Sequence, residues 1–181
     1  MLLNADKIEE LTKIIHKSIT PSLKRPYNID AIITSFNGKI EEVYDYYIKD
    51  HEIVKDNNNV YSFVIRICLN KIENEVKKNY VKAHLLGHLF MHMGFMINDE
   101  KFNKFDSFSE TFTTRNNNYS TEESEANFFA LSLLLPKNEF MNVCDDNLFK
   151  CQYDVNAIAK EFNVSESMVC KRGKQLGFFA W

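Results

Sequence analysis

Apolar side chains recur at helical spacing near the start of the chain, cluster at strand density in its first third, and return to helical spacing in two later blocks. Ile8, Leu11, Ile15 and Ile19 predict an amphipathic helix over about 5–19, stopped by Pro21. Ala31–Phe36 and Glu42–Ile48 are rich in β-branched and aromatic residues and are separated by a segment opening with Asn37-Gly38. They predict a hairpin or two sheet strands. Val60–Leu69 is the strongest strand candidate, and the polar stretch Asp56–Asn59 before it reads as a loop. From about Glu73 to Met93 the pattern is helical. Gly94–Ser120 turns polar and aromatic, which predicts a long surface loop with short strands within Phe102–Thr113. A loop of that length is a candidate substrate flap or partner contact. Thr121–Leu135 is helical again, with Ala126, Phe129, Ala130, Leu133 and Leu134 on one face, and Pro136 ends it. Val155–Arg172 has helix-turn-helix punctuation, with Ser165 as a natural N-cap.

Composition narrows the class. A chain of 181 residues fits one domain that can bury a core without staples, and 45% hydrophobic with 26% charged residues is the balance of a globular protein. The net charge of −3 gives no electrostatic case for binding nucleic acid or an anionic membrane with the whole surface. Cys68, Cys144, Cys151 and Cys170 form no C-x-x-C pair and nothing at the N-terminus reads as a signal peptide, so a reducing cytoplasmic setting is expected. The longest apolar run, Phe128–Pro136, is broken by Ser132 and too short to span a bilayer. Abundant Asn, Lys and Ile point to an AT-rich bacterial or phage genome. A single domain over 1–181, with a helical tail from about 150 packed on it, is the expected organisation.

The chemistry concentrates in Ala83-His84-Leu85-Leu86-Gly87-His88-Leu89-Phe90-Met91-His92. Residues four apart on an α-helix share a face, so His84 and His88 can direct both rings at one ion. This is the histidine spacing of the H-E-x-x-H zinc-protease motif, whose glutamate takes a proton from metal-bound water. That position is Leu85 here. A catalytic zinc takes three protein ligands, and Glu123-Ser124-Glu125-Ala126-Asn127 on the next helix is the source of the third. Where a downstream glutamate is the ligand in zincins, a small residue follows three positions on and Asp or Asn four positions on. Glu123, Ala126 and Asn127 fit, with Asn127 able to bond the outer nitrogen of a ligand histidine. Glu125 is the alternative ligand. Ser120-x-x-Glu123 also spells a capping box, a role that excludes ligation. His92 drifts about 80° from His84 along a straight α-helix, so it is assigned to supporting a ligand or filling the core. His16 and His51 read as structural histidines on or near the surface.

With these residues the chain resembles the ImmA/IrrE family of zinc metallopeptidase-like proteins. The matching pieces are Ala83-His84-x-x-Gly87-His88-x-x-x-His92, Glu123-x-Glu125-Ala126-Asn127-x-Phe129-Ala130-x-x-Leu133-Leu134-x-Pro136 with Phe140, and Ile158-Ala159-x-x-Phe162-x-Val164-Ser165. The resemblance implies an α+β zincin-like fold: a small twisted sheet, a His-x-x-x-His helix, a downstream Glu helix and a helical C-terminal portion. It further implies zinc held by His84, His88 and Glu123, and a helix-turn-helix repressor as protein partner, which such proteins help to inactivate by cleavage. Leu85 departs from the family's catalytic glutamate, so a degenerate member that recognises its partner without efficient cleavage is expected. One alternative is an active zinc endopeptidase whose base comes from Asp99, Glu100, Asp106 or Glu110. Another is a DNA-binding regulator using the C-terminal helices, for which Lys171, Arg172 and Lys174 supply charge and against which Glu166 and the acidic balance stand.

Overall fold

The computed structural model describes residues 5–19, 24–44, 51–56, 62–72, 74–105, 107–110 and 121–179. Helix α1 (Ala5–Ser18) is followed by α2 (Ile29–Ser35), and then come strands β1 (Gly38–Val43), β2 (His51–Lys55) and β3 (Phe63–Cys68). Helix α3 (Glu75–Gly87) runs directly into a wider π-helical turn, His88–Met93. Helix α4 (Asp99–Phe102), strand β4 (Ser107–Glu110), helices α5 (Thr121–Leu134) and α6 (Lys137–Asp146), and a small hairpin, β5 (Leu148–Phe149) and β6 (Gln152–Tyr153), lead to α7 (Val155–Phe162) and α8 (Glu166–Gln175). The expected α+β class is the observed one.

The main sheet has the order β1-β3-β2-β4. β1 lies parallel to β3, while β2 is antiparallel to both β3 and β4. The period of two sorts its faces. Phe63, Ile65, Ile67 and Ile53 are buried, whereas Arg66 lies between Glu41 and Glu52 of the flanking strands, at 2.7 and 3.0 Å. These part-exposed pairs contribute little stability but suit one register.

The expected strand Ala31–Phe36 is instead part of helix α2. Asn28 caps it by accepting from the Ala31 amide, and Ile29, Ile32 and Ile33 bury one side at i, i+3 and i+4. The β-branched density misled because an isoleucine-rich helix and a buried strand look alike over so short a run. Asn37, at φ 61°, does turn the chain, but from helix into β1, whose partner is the parallel β3. The end of the expected Glu42–Ile48 strand, and the start of Val60–Leu69, lie outside the described residues. The 94–120 stretch carries α4 and β4, and 111–120 also lies outside them.

From Phe128 onward every residue of α5 is buried, and a helix of that kind belongs in the interior. It is the central helix, with α3 packed on it from one direction and α1 from another. One continuous core runs from Ile8 to Phe179. No helix among the described residues is long and apolar enough to cross a membrane.

Candidate metal centre

Asn74 starts α3 by accepting from the Lys77 amide, and from Val81 onward every residue of the helix is buried. Lys78 and Lys82 tie its outer side to Glu42 of β1 (3.0 Å) and Asp30 of α2 (2.7 Å). The helix therefore presents its last turn at a fixed angle. What faces it is decided by Gly87. A Cβ at Gly87 would lie 3.0 Å from the Ala126 Cα and 3.2 Å from its carbonyl oxygen, so the missing side chain lets α3 and α5 approach closely. That approach carries Glu123, one turn before Ala126, to the two histidines.

His84 Nε2 and His88 Nε2 are 3.1 Å apart, and one oxygen of Glu123 faces each of them, at 3.5 and 3.2 Å. Four ligands on a tetrahedral zinc at ~2.0–2.1 Å are separated from one another by about 3.3 Å, a spacing close to that of the two ring nitrogens and to that of each ring nitrogen from its own Glu123 oxygen. They are the group among the described residues that could hold a metal. Burial pushes His88 below its ordinary value, opposed by the Glu123 carboxylate that can accept a proton from its ring, and the neutral ring is the form that ligates. The Glu123 carboxylate lies against the rings, while Ser120, the other half of the capping box, is outside the described residues.

The remaining site residues sort around this group. Glu125 is not in it, and lies 3.3 Å from His92 Nε2. His92 Nδ1 is 3.0 Å from His88 Nδ1. The drift expected of His92 on a straight helix is removed by the π turn, which ends at Gly94 with a φ of 83° that glycine adopts without strain. Asn127 was expected against a histidine ring, but its side-chain oxygen accepts from the Tyr80 hydroxyl at 2.6 Å, and the Tyr80 ring stacks over His84 with centroids 6.3 Å apart. Leu85 is fully buried in the core, at 0% exposure. Asp99 and Glu100 are exposed in the first turn of α4. The side chains of Asp106 and Glu110 are outside the described residues.

His51 corrects the surface reading. It is 2% exposed, and its ring stands edge-on to His84 at 6.3 Å between centroids. The signal was available: His51 and Ile53 share parity on β2, and Ile53 is plainly a core residue. Tyr80 was also legible, four residues before His84 on the same helical face. His16 is the half-buried structural residue expected, its Nε2 2.8 Å from the Leu133 carbonyl.

A mixed sheet backed by a helix with paired histidines, facing a glutamate on the central helix α5, defines a metallopeptidase-like fold. The model of one such family, the IrrE N-terminal-like domain of Peptidase M78, matches residues 42–174, and the chain belongs to that family. No curated protein matches the sequence. Among solved structures, a Mycobacterium tuberculosis transcriptional regulator superposes with a TM-score of 0.54 and 14% identity, over 92% of this chain and 46% of that one. The likeness at that identity is one of fold, and the chain spans less than half of the regulator's length.

Proposed function

We propose that this chain is a zinc-binding, cleavage-impaired member of its family, acting by recognising a repressor-type protein. The observation that carries this reading is the pairing of an assembled donor set, His84, His88 and Glu123, with a fully buried leucine between the histidines. Zinc held there would supply Lewis-acid polarisation of a carbonyl. No carboxylate stands at position 85 to move a proton, and positioned acid–base groups are worth about 10²–10⁴ in rate. Tyr80 and His51 would hold His84 from two sides. The similarity to a transcriptional regulator supports a regulatory setting, with a helix-turn-helix protein as the expected partner. The family's repressor targets make the protein surface, rather than DNA, the expected contact.

We also propose one domain over 1–181 with the 150–181 portion packed on it. The shared core and the buried contact of Arg172 with Glu9 support this.

The test is a cleavage assay on a candidate repressor. The unmodified chain should act no faster than His84→Ala, and Leu85→Glu should raise the rate wherever it still folds and holds zinc. Zinc-dependent turnover by the unmodified chain, above the His84→Ala background, would overturn the proposal. Attention would then move to acidic residues of the 94–120 segment.

A further inference from the structure

His92 and Glu125 lie outside the donor group yet form an unbroken line to it. Glu125 Oε2 is 3.3 Å from His92 Nε2, His92 Nδ1 is 3.0 Å from His88 Nδ1, and His88 Nε2 is turned to His84 and Glu123. We infer that Glu125 and His92 are positioning residues, a two-step hydrogen-bonded relay that fixes His88 in the tautomer presenting a bare Nε2 to the metal. The inference rests on the zinc reading above.

The direction of the relay follows from counting protons. A neutral imidazole has one donor and one acceptor nitrogen. Two Nδ1 atoms 3.0 Å apart need one proton between them, and with zinc between His88 Nε2 and Glu123 only one assignment satisfies the contacts of both rings. With the proton on His88 Nδ1, His92 Nδ1 accepts it, His92 Nε2–H donates to the Glu125 carboxylate, and His88 Nε2 is left as a lone pair. The reverse assignment puts a proton on His88 Nε2, where it blocks ligation, and turns a lone pair of His92 towards an anionic oxygen. The carboxylate at the far end therefore sets the choice, with a histidine passed through on the way. Metal-bound histidines commonly donate their outer N–H directly to a carboxylate or carbonyl, and removal of that partner typically costs 10–100-fold in affinity. Here the extra step is possible because His88 and His92, four residues apart, share one side of the helix through its π turn.

Two measurements test this on the full chain. The first is zinc affinity by competition with a chromophoric chelator. His92→Phe keeps a ring and removes both nitrogens, and should weaken zinc by about 10–100-fold. Glu125→Leu should do the same, the double variant should be no worse than the weaker single, and Glu125→Gln, which still accepts a hydrogen bond, should recover part of the loss. Unchanged affinity in His92→Phe, or losses that multiply in the double variant, would overturn the relay. Complete loss in Glu125→Leu alone would make Glu125 a ligand instead. The second is the histidine ¹⁵N spectrum of the zinc-loaded chain, which reports tautomers directly. His92 protonated on Nε2 and His88 on Nδ1 is the expected result, and the opposite pair contradicts it. A chain that takes no zinc would overturn the metal reading and the relay with it, whereas a His92→Phe chain that binds zinc equally well would overturn the relay alone.

Discussion

His16 and His88 are pushed below the ordinary histidine value by the same cause, burial, and put it to different uses. His88 faces His84 and Glu123. His16 donates to the Leu133 carbonyl, so its neutral ring stitches α1 to the end of α5. An unfolded chain takes up this proton near 6.5, whereas the folded one resists it until lower pH. The stability from a neutral His16 is therefore complete above that value and lost as pH falls below it. Thermal unfolding followed from about pH 7 to about pH 5 should show a decline that is shallower in His16→Gln, which keeps a donor without a titrating ring. Equal slopes would show that folding leaves the proton affinity of His16 unchanged. At this scale the sequence was most legible where periodicity applied. His84, His88 and Glu123 meet as their spacing implied, while His51 was misread because its polar neighbours outweighed the parity it shares with Ile53.

Elements meet where small residues let them. Gly87 against Ala126 sets the separation of α3 and α5, and with it the reach of Glu123. Gly87→Ala inserts a methyl group against backbone, and overpacking of that kind costs roughly 1–3 kcal/mol. Urea unfolding should show that loss, and zinc should be held less tightly as Glu123 retreats. A variant with unchanged stability and affinity would mean that the helices have slack. Helices α1, α3 and α5 were legible because each is long enough for its pattern to declare itself. α2 was not, because its Asn28 cap decided what seven residues of ambiguous composition could not. The π turn was beyond reach, since no sequence rule reports a change of helical pitch.

Across the whole molecule, the C-terminal helices are locked to the first. Arg172 is fully buried, its guanidinium 2.7 Å from Glu9, its Nε donating to the Leu135 carbonyl at 2.9 Å, and its charge over the ring of Phe128. One of the three cations counted for DNA contact therefore points into the protein, leaving Lys171 and Lys174 exposed. Truncating one member of a buried pair strands the other, at a cost of about 3–5 kcal/mol. Glu9 keeps some solvent access, so the lower end is expected. Arg172→Ala should lower the urea midpoint accordingly, and adding Glu9→Gln should cost less than the sum of the two single changes. Strict additivity would deny the coupling. The helix-turn-helix punctuation was legible in the sequence, but burial of its arginine depends on Glu9, 163 residues away, which local pattern cannot show.

His84, His88 and Glu123 are expected to hold one metal ion. Elemental analysis of the purified chain, grown with added zinc, tests it most directly. About one zinc per chain is expected, lost in His88→Ala and in Glu123→Ala, because two remaining ligands make a poor site. A zinc-free native chain, or full occupancy in Glu123→Ala, would contradict it.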